Sequence, residues 1–163
     1  MAIDKVKAFL RERGMEERVL AFETSSATVE LAAQAVGCEP ARIAKTLSFH
    51  VGARVALVVA AGDARTDNPK YKARFGCKAK MLAADEAEPL IGHRVGGVCP
   101  FALNEGVDVF LDESLRRFDV VYSEAGKAAS AVRLTPDELE RCAAPCTGVH
   151  VCPGVGGRPC RPT

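Results

Sequence analysis

The chain has no tryptophan, two tyrosines and 6% aromatic residues, so its core must be built mainly from aliphatic side chains. It also lacks a long hydrophobic run. The longest, Val55 through Ala61, is far too short to span a bilayer, and no membrane partner is expected. The N-terminal segment is amphipathic and charged, without the apolar centre of a signal peptide. An excess of one charge sign is missing too: Lys+Arg 22 stand against Asp+Glu 21, a formal net charge of +1. Global charge therefore argues neither for nor against a polyanionic partner, and only local clusters can speak. The seven cysteines are odd in number, which excludes a fully paired disulfide framework within one chain. A cytoplasmic protein with reduced thiols is the expectation.

What is present is enough for one domain: 163 residues with 48% hydrophobic side chains support a real core. Ile3, Val6 and Leu10 recur at helical spacing before Gly14, giving a first amphipathic helix. Val19 to Phe22 reads as a short strand. Thr24, Ser25, Ser26 and Thr28 are candidate N-caps for a second helix, which carries Val29, Ala32, Ala33 and Val36 on one face and closes at Gly37. Gly52-Ala53 reads as a hairpin connection, and Arg54 through Ala61 as a central strand, apolar on both faces. A helix starts at Asp67-Asn68-Pro69 and another covers Ala84 to Ile91. Strands follow at Val107–Asp112, Asp119–Tyr122 and Ala131–Leu134, with a turn at Gly126. The capping box Thr135-Pro136-Asp137-Glu138 opens a last helix that runs to about Cys142. The fold class is α+β with a mixed, curved sheet.

The stretch from Lys45 to Val51 alternates as a strand does. Lys45, Leu47, Phe49 and Val51 share one face, and Thr46, Ser48 and His50 the other. Lys45 thus begins a row that otherwise points inward. It either snorkels to water at the strand end, or aims a cation into a pocket to meet an anion or a polarised carbonyl.

Several clusters carry possible chemistry. Gly96-Gly97 before Val98-Cys99-Pro100-Phe101 is either an ordinary turn or a loop whose amides approach a ligand. It is not a phosphate loop, since the lysine and Ser/Thr that should follow the glycines are missing. Lys70, Lys72, Arg74, Lys78 and Lys80, with Tyr71 and Phe75 interleaved, suit a phosphate backbone and a stacked base, or form a solvated face. Cys142, Cys146, His150, Cys152 and Cys160 invite a zinc reading, but their separations do not form paired C-x2-C knuckles. No order of residues announces a nucleophilic triad; Cys99 near His93 is the only candidate.

Taken together, these residues resemble the YbaK-type aminoacyl-tRNA deacylases, the prolyl-tRNA synthetase-associated editing domain. The likeness runs from about Val19 to Arg141. It rests on Thr28-Val29-Glu30 opening a helix that ends at Gly37, on Lys45-Thr46-Leu47, and on the Gly62-Asp63 and Asp67 region. It continues through Gly96 to Phe101, Asp112-Glu113-Ser114-Leu115, Gly126 and Leu134-Thr135-Pro136. The resemblance implies a single barrel-like α+β domain, expected over residues 1–143; the Cys/Gly/Pro-rich segment 144–163 is outside the shared pattern and is expected from its composition to be a flexible tail. It implies hydrolysis, in trans, of the ester joining a wrong amino acid to tRNA, in the manner of Cys-tRNA(Pro) or Ala-tRNA(Pro) deacylases. A non-catalytic module binding tRNA or a synthetase is the alternative. The implied partners are aminoacyl-tRNA and prolyl-tRNA synthetase, with no cofactor and no metal. Lys45 matches the family's signature functional residue, and Gly96, Gly97, Val98, Cys99, Pro100 and Phe101 match its pocket loop. Thr28, Thr46, Ser123 and Gly126 join the expected substrate contacts, with either Ser123 or Glu124 facing the pocket. Lys70, Lys72, Arg74, Lys78 and Lys80 are expected to meet the nucleic acid.

Overall fold

Helix α1, Ala2–Arg11, forms because its apolar residues recur once per turn; Val6 and Leu10 are fully buried and the charged residues between them stay outside. Burying each such side chain stabilises the fold by about 1.5–3 kcal/mol. The structure, a computed structural model, describes residues 2–22, 28–94, 97–127, 129–142 and 146–149. Of the candidate caps, Thr24, Ser25 and Ser26 lie outside that set. A short strand, β1 (Val19–Ala21), precedes helix α2 (Val29–Val36), which Thr28 caps by accepting the Leu31 N–H at 3.1 Å.

A 3-10 turn, Pro40–Arg42, leads into β2 (Ile43–Val51), which folds back through Gly52-Ala53 onto β3 (Arg54–Ala61). Their antiparallel ladder is unbroken from Ala44↔Ala61 to Val51↔Arg54. From Ala56 to Ala61 no residue of β3 is more than 2% exposed, as its continuous apolar run requires of a central strand. Asp67 caps helix α3 (Asn68–Phe75), and Glu86 accepts the Ala83 N–H at the start of helix α4 (Ala84–Ile91). The chain continues through β4 (Val107–Asp112), β5 (Val121–Ser123), β6 (Ser130–Leu134) and helix α5 (Pro136–Cys142). Thr135 and Glu138 exchange backbone and side-chain hydrogen bonds at the head of α5, completing the expected capping box.

The sheet is mixed, in the order β1-β6-β5-β2-β3-β4, with one further strand, β7 (Cys146–Val149), parallel to β4 at the outer edge. β1 and β7 are its two edges, so it does not close on itself. The α+β class with a mixed sheet is therefore as read from the sequence. Two details differ. The strand expected at Asp119 begins at Val121, because Asp119 and the Val120 carbonyl are both engaged by Arg42. And β7 falls within the segment assigned to the tail; of the rest of that segment, residues 144, 145 and 150–163 lie outside the described set, and its expected flexibility with them.

Both faces of the sheet are covered. On one, Leu10 of α1, Phe101, Leu134 and Leu139 of α5 form the larger cluster. On the other, Phe49 and Val58 lie under Tyr71 of α3, with Phe49–Tyr71 and Tyr71–Phe75 ring centroids 4.9 and 4.6 Å apart. One feature of the pairing creates the site. β2 is paired with β3 along its length, but with β5 only at Ile43 and Ala44. Further along that same edge the backbone is met by the 80–82 segment, through His50 N–H to Lys80 O (2.8 Å) and Leu82 N–H to Ser48 O (3.1 Å). Between these two contacts, around Thr46, no described residue pairs with the edge of β2, which is left open among the described residues.

Candidate functional site

That opening is a cavity of about 400 Å³, within the range of small-ligand sites. Ala44, Thr46 and Ser48 of β2 form one wall, as alternate residues of a strand must. Val29 at the head of α2 and Val98 form apolar parts of the boundary, with Met81 and Leu82 at the 80–82 segment. Met81 is 56% exposed, and its rim position explains an otherwise unusual exposed apolar side chain. The first turn of α2 also faces the cavity, and its partial positive charge favours a developing anion. Residues 48 and 50 turn their backbone groups to this edge, so Thr46, in step with them, directs its own N–H and C=O there as well.

Of the twelve described lining residues only Lys45 and Glu124 carry titratable side chains. Lys45 is half-buried. Its Nζ donates to the carbonyl oxygens of Ala64 and, at 3.3 Å, Gly62, just past the end of β3. Lys45 is among the lining residues, and these two carbonyls hold its ammonium instead of leaving it to extend to bulk water. Asp63 lies close enough to feel its charge, although the Arg117 guanidinium is the main reason the Asp63 carboxyl is held below its ordinary value.

Of Ser123, the last residue of β5, and Glu124, which follows it, Glu124 is among the residues lining the cavity. Ser123 is buried, with its hydroxyl donating to Glu124 O at 3.2 Å. Burial pushes the Glu124 carboxyl up to about 8 from its ordinary 4.5. Glu124 Oε2 and Thr46 Oγ1 are buried atoms without a hydrogen-bond partner among the described residues. Because the folded state holds the Glu124 proton more tightly than the unfolded chain does, this group's contribution to stability is complete below about pH 4.5 and is lost as pH rises towards about 8. The expected slope is at most about 1.4 kcal/mol per pH unit. Denaturant titrations of the parent and of Glu124→Gln across that window should show the component in the parent alone.

The glycine loop plays a different part from the one its composition suggests. Gly97 is buried, and a Cβ built on it would lie 2.6 Å from the Gly126 carbonyl carbon. The two glycines thus let two loops touch backbone to backbone, which sets Val98 in the cavity boundary. Cys99, Pro100 and Phe101 are buried, Cys99 and Phe101 within the larger core cluster. Gly96 lies outside the described residues. Among the expected contacts, the cavity therefore brings together Thr28, Lys45, Thr46 and Val98, while Gly97, Cys99, Pro100, Phe101, Ser123 and Gly126 stand behind or beside it.

Cys99 and His93 do not form a nucleophilic pair. His93 Nε2 is 2.7 Å from Phe101 O, which can only accept, so this nitrogen carries a hydrogen and is no base for the thiol 3.5 Å away. Burial pushes the Cys99 thiol up to about 12 and lowers His93. Of the basic residues, Lys72, Arg74, Lys78 and Lys80 are exposed and Lys70 is half-buried; Lys80 adjoins Met81 at the cavity rim. Tyr71 is fully buried among Phe49 and Phe75 and offers no face for a base to stack on. Among the described residues no three His, Cys, Asp or Glu side chains converge as a metal site; His150, Cys152 and Cys160 lie outside them. No helix there is long and apolar enough to cross a membrane.

Sequence reasoning missed Met81, Leu82 and Ala84. They reach the cavity because a loop joins the edge of β2 through backbone hydrogen bonds, which leave no mark on side-chain identity.

A second, open concavity of about 570 Å³ lies at the C-terminal end of α2, beside Cys38, Arg42, Tyr122 and Arg133. Its Arg42 is engaged by Asp119 at 2.8 Å and by Val120 O.

Comparison with known proteins adds three findings. The family model for the aminoacyl-tRNA editing domain matches residues 23–142. The uncharacterized protein YwhH of Bacillus subtilis (strain 168) is 45% identical over 153 residues, 93% of this chain and 98% of that protein. A crystal structure described as that of a proposed trans-editing enzyme for prolyl tRNA synthetase superposes with a TM-score of 0.84 at 28% identity, covering 94% of this chain and 98% of that one. The crystal structure of the hypothetical protein APE2540 gives a TM-score of 0.81 at 30% identity, covering 91% and 99%.

Proposed function

The chain belongs to the aminoacyl-tRNA editing domain family, and on that premise we propose that it is a deacylase acting in trans, hydrolysing the ester of a mischarged tRNA in the manner of Cys-tRNA(Pro) or Ala-tRNA(Pro) deacylases. The observation that carries this reading is the cavity itself: a small, mostly apolar hollow beside a strand edge left open among the described residues, with Lys45, its ammonium anchored by two carbonyls, among the lining residues. A tRNA 3′ end, single-stranded and flexible, can present its acyl group to such a hollow without any change in the duplex. Lys45 takes the ester carbonyl as its oxygen gains negative charge, or the adjoining phosphate, and the first turn of α2 adds favourable potential. Thr28, Thr46 and Val98 shape the space for the acyl group. The exposed Lys78 and Lys80, which run up to the rim, meet the phosphates of the acceptor end, with Lys72 and Arg74 further along the same segment.

The chemistry asks for little covalent help. An aminoacyl ester is already activated, so holding it beside water or its own ribose hydroxyl, with the oxyanion stabilised, accounts for substantial acceleration. Glu124, neutral near pH 7 by the direction of its shift, is not an ionised base in the resting site. Such a second sieve serves a synthetase whose own pocket separates one methylene by only about 1–3 kcal/mol. Prolyl-tRNA synthetase is the proposed protein partner.

A panel of tRNAs mischarged with alanine, cysteine and serine tests the proposal. Release of the amino acid from at least one, far above the spontaneous rate, is the expected outcome. Tight binding of the panel with no release would replace the deacylase by a non-catalytic binding module of the same fold.

A further inference from the structure

Among the described residues Glu124 is the one acidic side chain in the cavity boundary. Its Oε2 and the Thr46 hydroxyl oxygen are both buried and both lack a partner among the described residues. The described walls are mostly apolar: Val29, Ile43 and Ala44 on one side, Leu82 and Val98 elsewhere. Lys45 is the only other charged residue among the described lining, and it is held by the Gly62 and Ala64 carbonyls. The Cys99 thiol is close enough to sense the Glu124 charge but stays neutral, pushed up to about 12 by its own burial. No cation among the described residues offsets the desolvation of Glu124. A carboxyl kept unpaired in a ligand-sized hollow is costly, and a partner arriving with the ligand removes that cost.

The acyl end of an aminoacyl ester brings two groups of opposite character, a carbonyl that gains negative charge and an amine that is a cation. The cavity offers one cation and one acid. Resting on the deacylase reading for the nature of the ligand, we propose that Glu124, with Thr46 Oγ1, receives the α-amine of the acyl group, so that the site takes esters of free amino acids and rejects N-acylated ones. The acid then acts as a specificity-determining group. It checks that the amine is free, whatever the side chain, and so spares peptidyl and formylated esters.

Binding of an ammonium makes ionised Glu124 the favoured form, so complex formation near pH 7 must release a proton from the carboxyl. The probe is 3′-alanylamino-3′-deoxyadenosine, an amide that resists hydrolysis, compared with its N-acetyl derivative. Calorimetry in buffers of different ionisation heat should show release of close to one proton per site for the free amine. The acetylated probe should bind roughly 10- to 100-fold more weakly. Glu124→Leu should erase both the preference and the proton release while keeping the parent's melting temperature or raising it. Glu124→Gln should retain part of the preference with no proton release.

Equal affinity for the two probes in the parent overturns the inference. So does a Glu124→Leu defect confined to a seryl probe and indifferent to acetylation, which would assign the carboxyl to a side-chain hydroxyl instead. Parallel hydrolysis assays on alanyl-tRNA and N-acetylalanyl-tRNA separate this from the deacylase reading. Cleavage of both esters at one rate sinks the inference and leaves the deacylase. Preferential binding of the free amine without cleavage sinks the deacylase and leaves the inference. A parent that neither binds the probes nor cleaves the esters removes both.

Discussion

Lys45→Ala is expected to lower deacylation about 10²–10³-fold, the loss typical of one removed oxyanion donor. Lys45 is half-buried and among the cavity's lining residues, so the substitution removes the anchored cation to which the deacylase proposal assigns the ester carbonyl. It also leaves the carbonyl oxygens of Gly62 and Ala64 without these donors, which costs on the order of 1 kcal/mol of stability. That is too little to unfold the domain, so a melting curve within a few degrees of the parent's should accompany the lost rate. Lys45→Met, which keeps the aliphatic stem, should be as inactive as the alanine variant. If either variant released the amino acid at the parent's rate, Lys45 would have no part in the reaction.

Gly62→Ala should be the most damaging single methyl in the described structure. A Cβ there would lie 2.0 Å from the Pro40 carbonyl oxygen and 2.8 Å from Val29 Cγ1. The first of these is backbone and belongs to the turn that launches β2, so it cannot move without shifting the strand that carries Lys45. Overpacking of this severity destabilises by about 3 kcal/mol or more, which lowers the melting temperature of a domain of this size by roughly 6–12 °C. Because Gly62 O is also an acceptor for Lys45, activity should fall faster than stability alone explains. A variant with the parent's melting temperature would show that the approach of Gly62 to Pro40 is not as tight as described.

Most of the architecture was legible in local signals. The once-per-turn pattern of Ile3, Val6 and Leu10, the Thr28 and Asp67 caps, and the doubly apolar run from Val55 to Ala61 each dictate one element, and each is found where it was read. The site was legible only in part. Lys45 and Thr46 stood out because they interrupt or flank an alternating strand. The remainder of the cavity depends on long-range placement: the parting of β5 from β2 after Ala44, and the return of residues 80–82 to the edge of β2. Neither leaves a periodicity or a special residue type behind. The Gly96–Phe101 stretch shows how far composition reaches: Val98 lines the cavity. Its glycine at 97 serves a loop-to-loop contact with Gly126, and its cysteine and phenylalanine serve the core. Composition alone cannot separate a close approach to ligand from a close approach to backbone. Tyr71 shows the same limit, since an aromatic among lysines looks like a stacking platform until its ring is found buried under α3.

If the acyl end of the substrate enters the hollow beside the open edge of β2, adding 3′-alanylamino-3′-deoxyadenosine will perturb backbone amide chemical shifts centred on Thr46, Ser48, Leu82, Val98 and Glu124. Perturbations centred instead on Cys38, Arg42, Tyr122 and Arg133, at the second concavity, would contradict that placement.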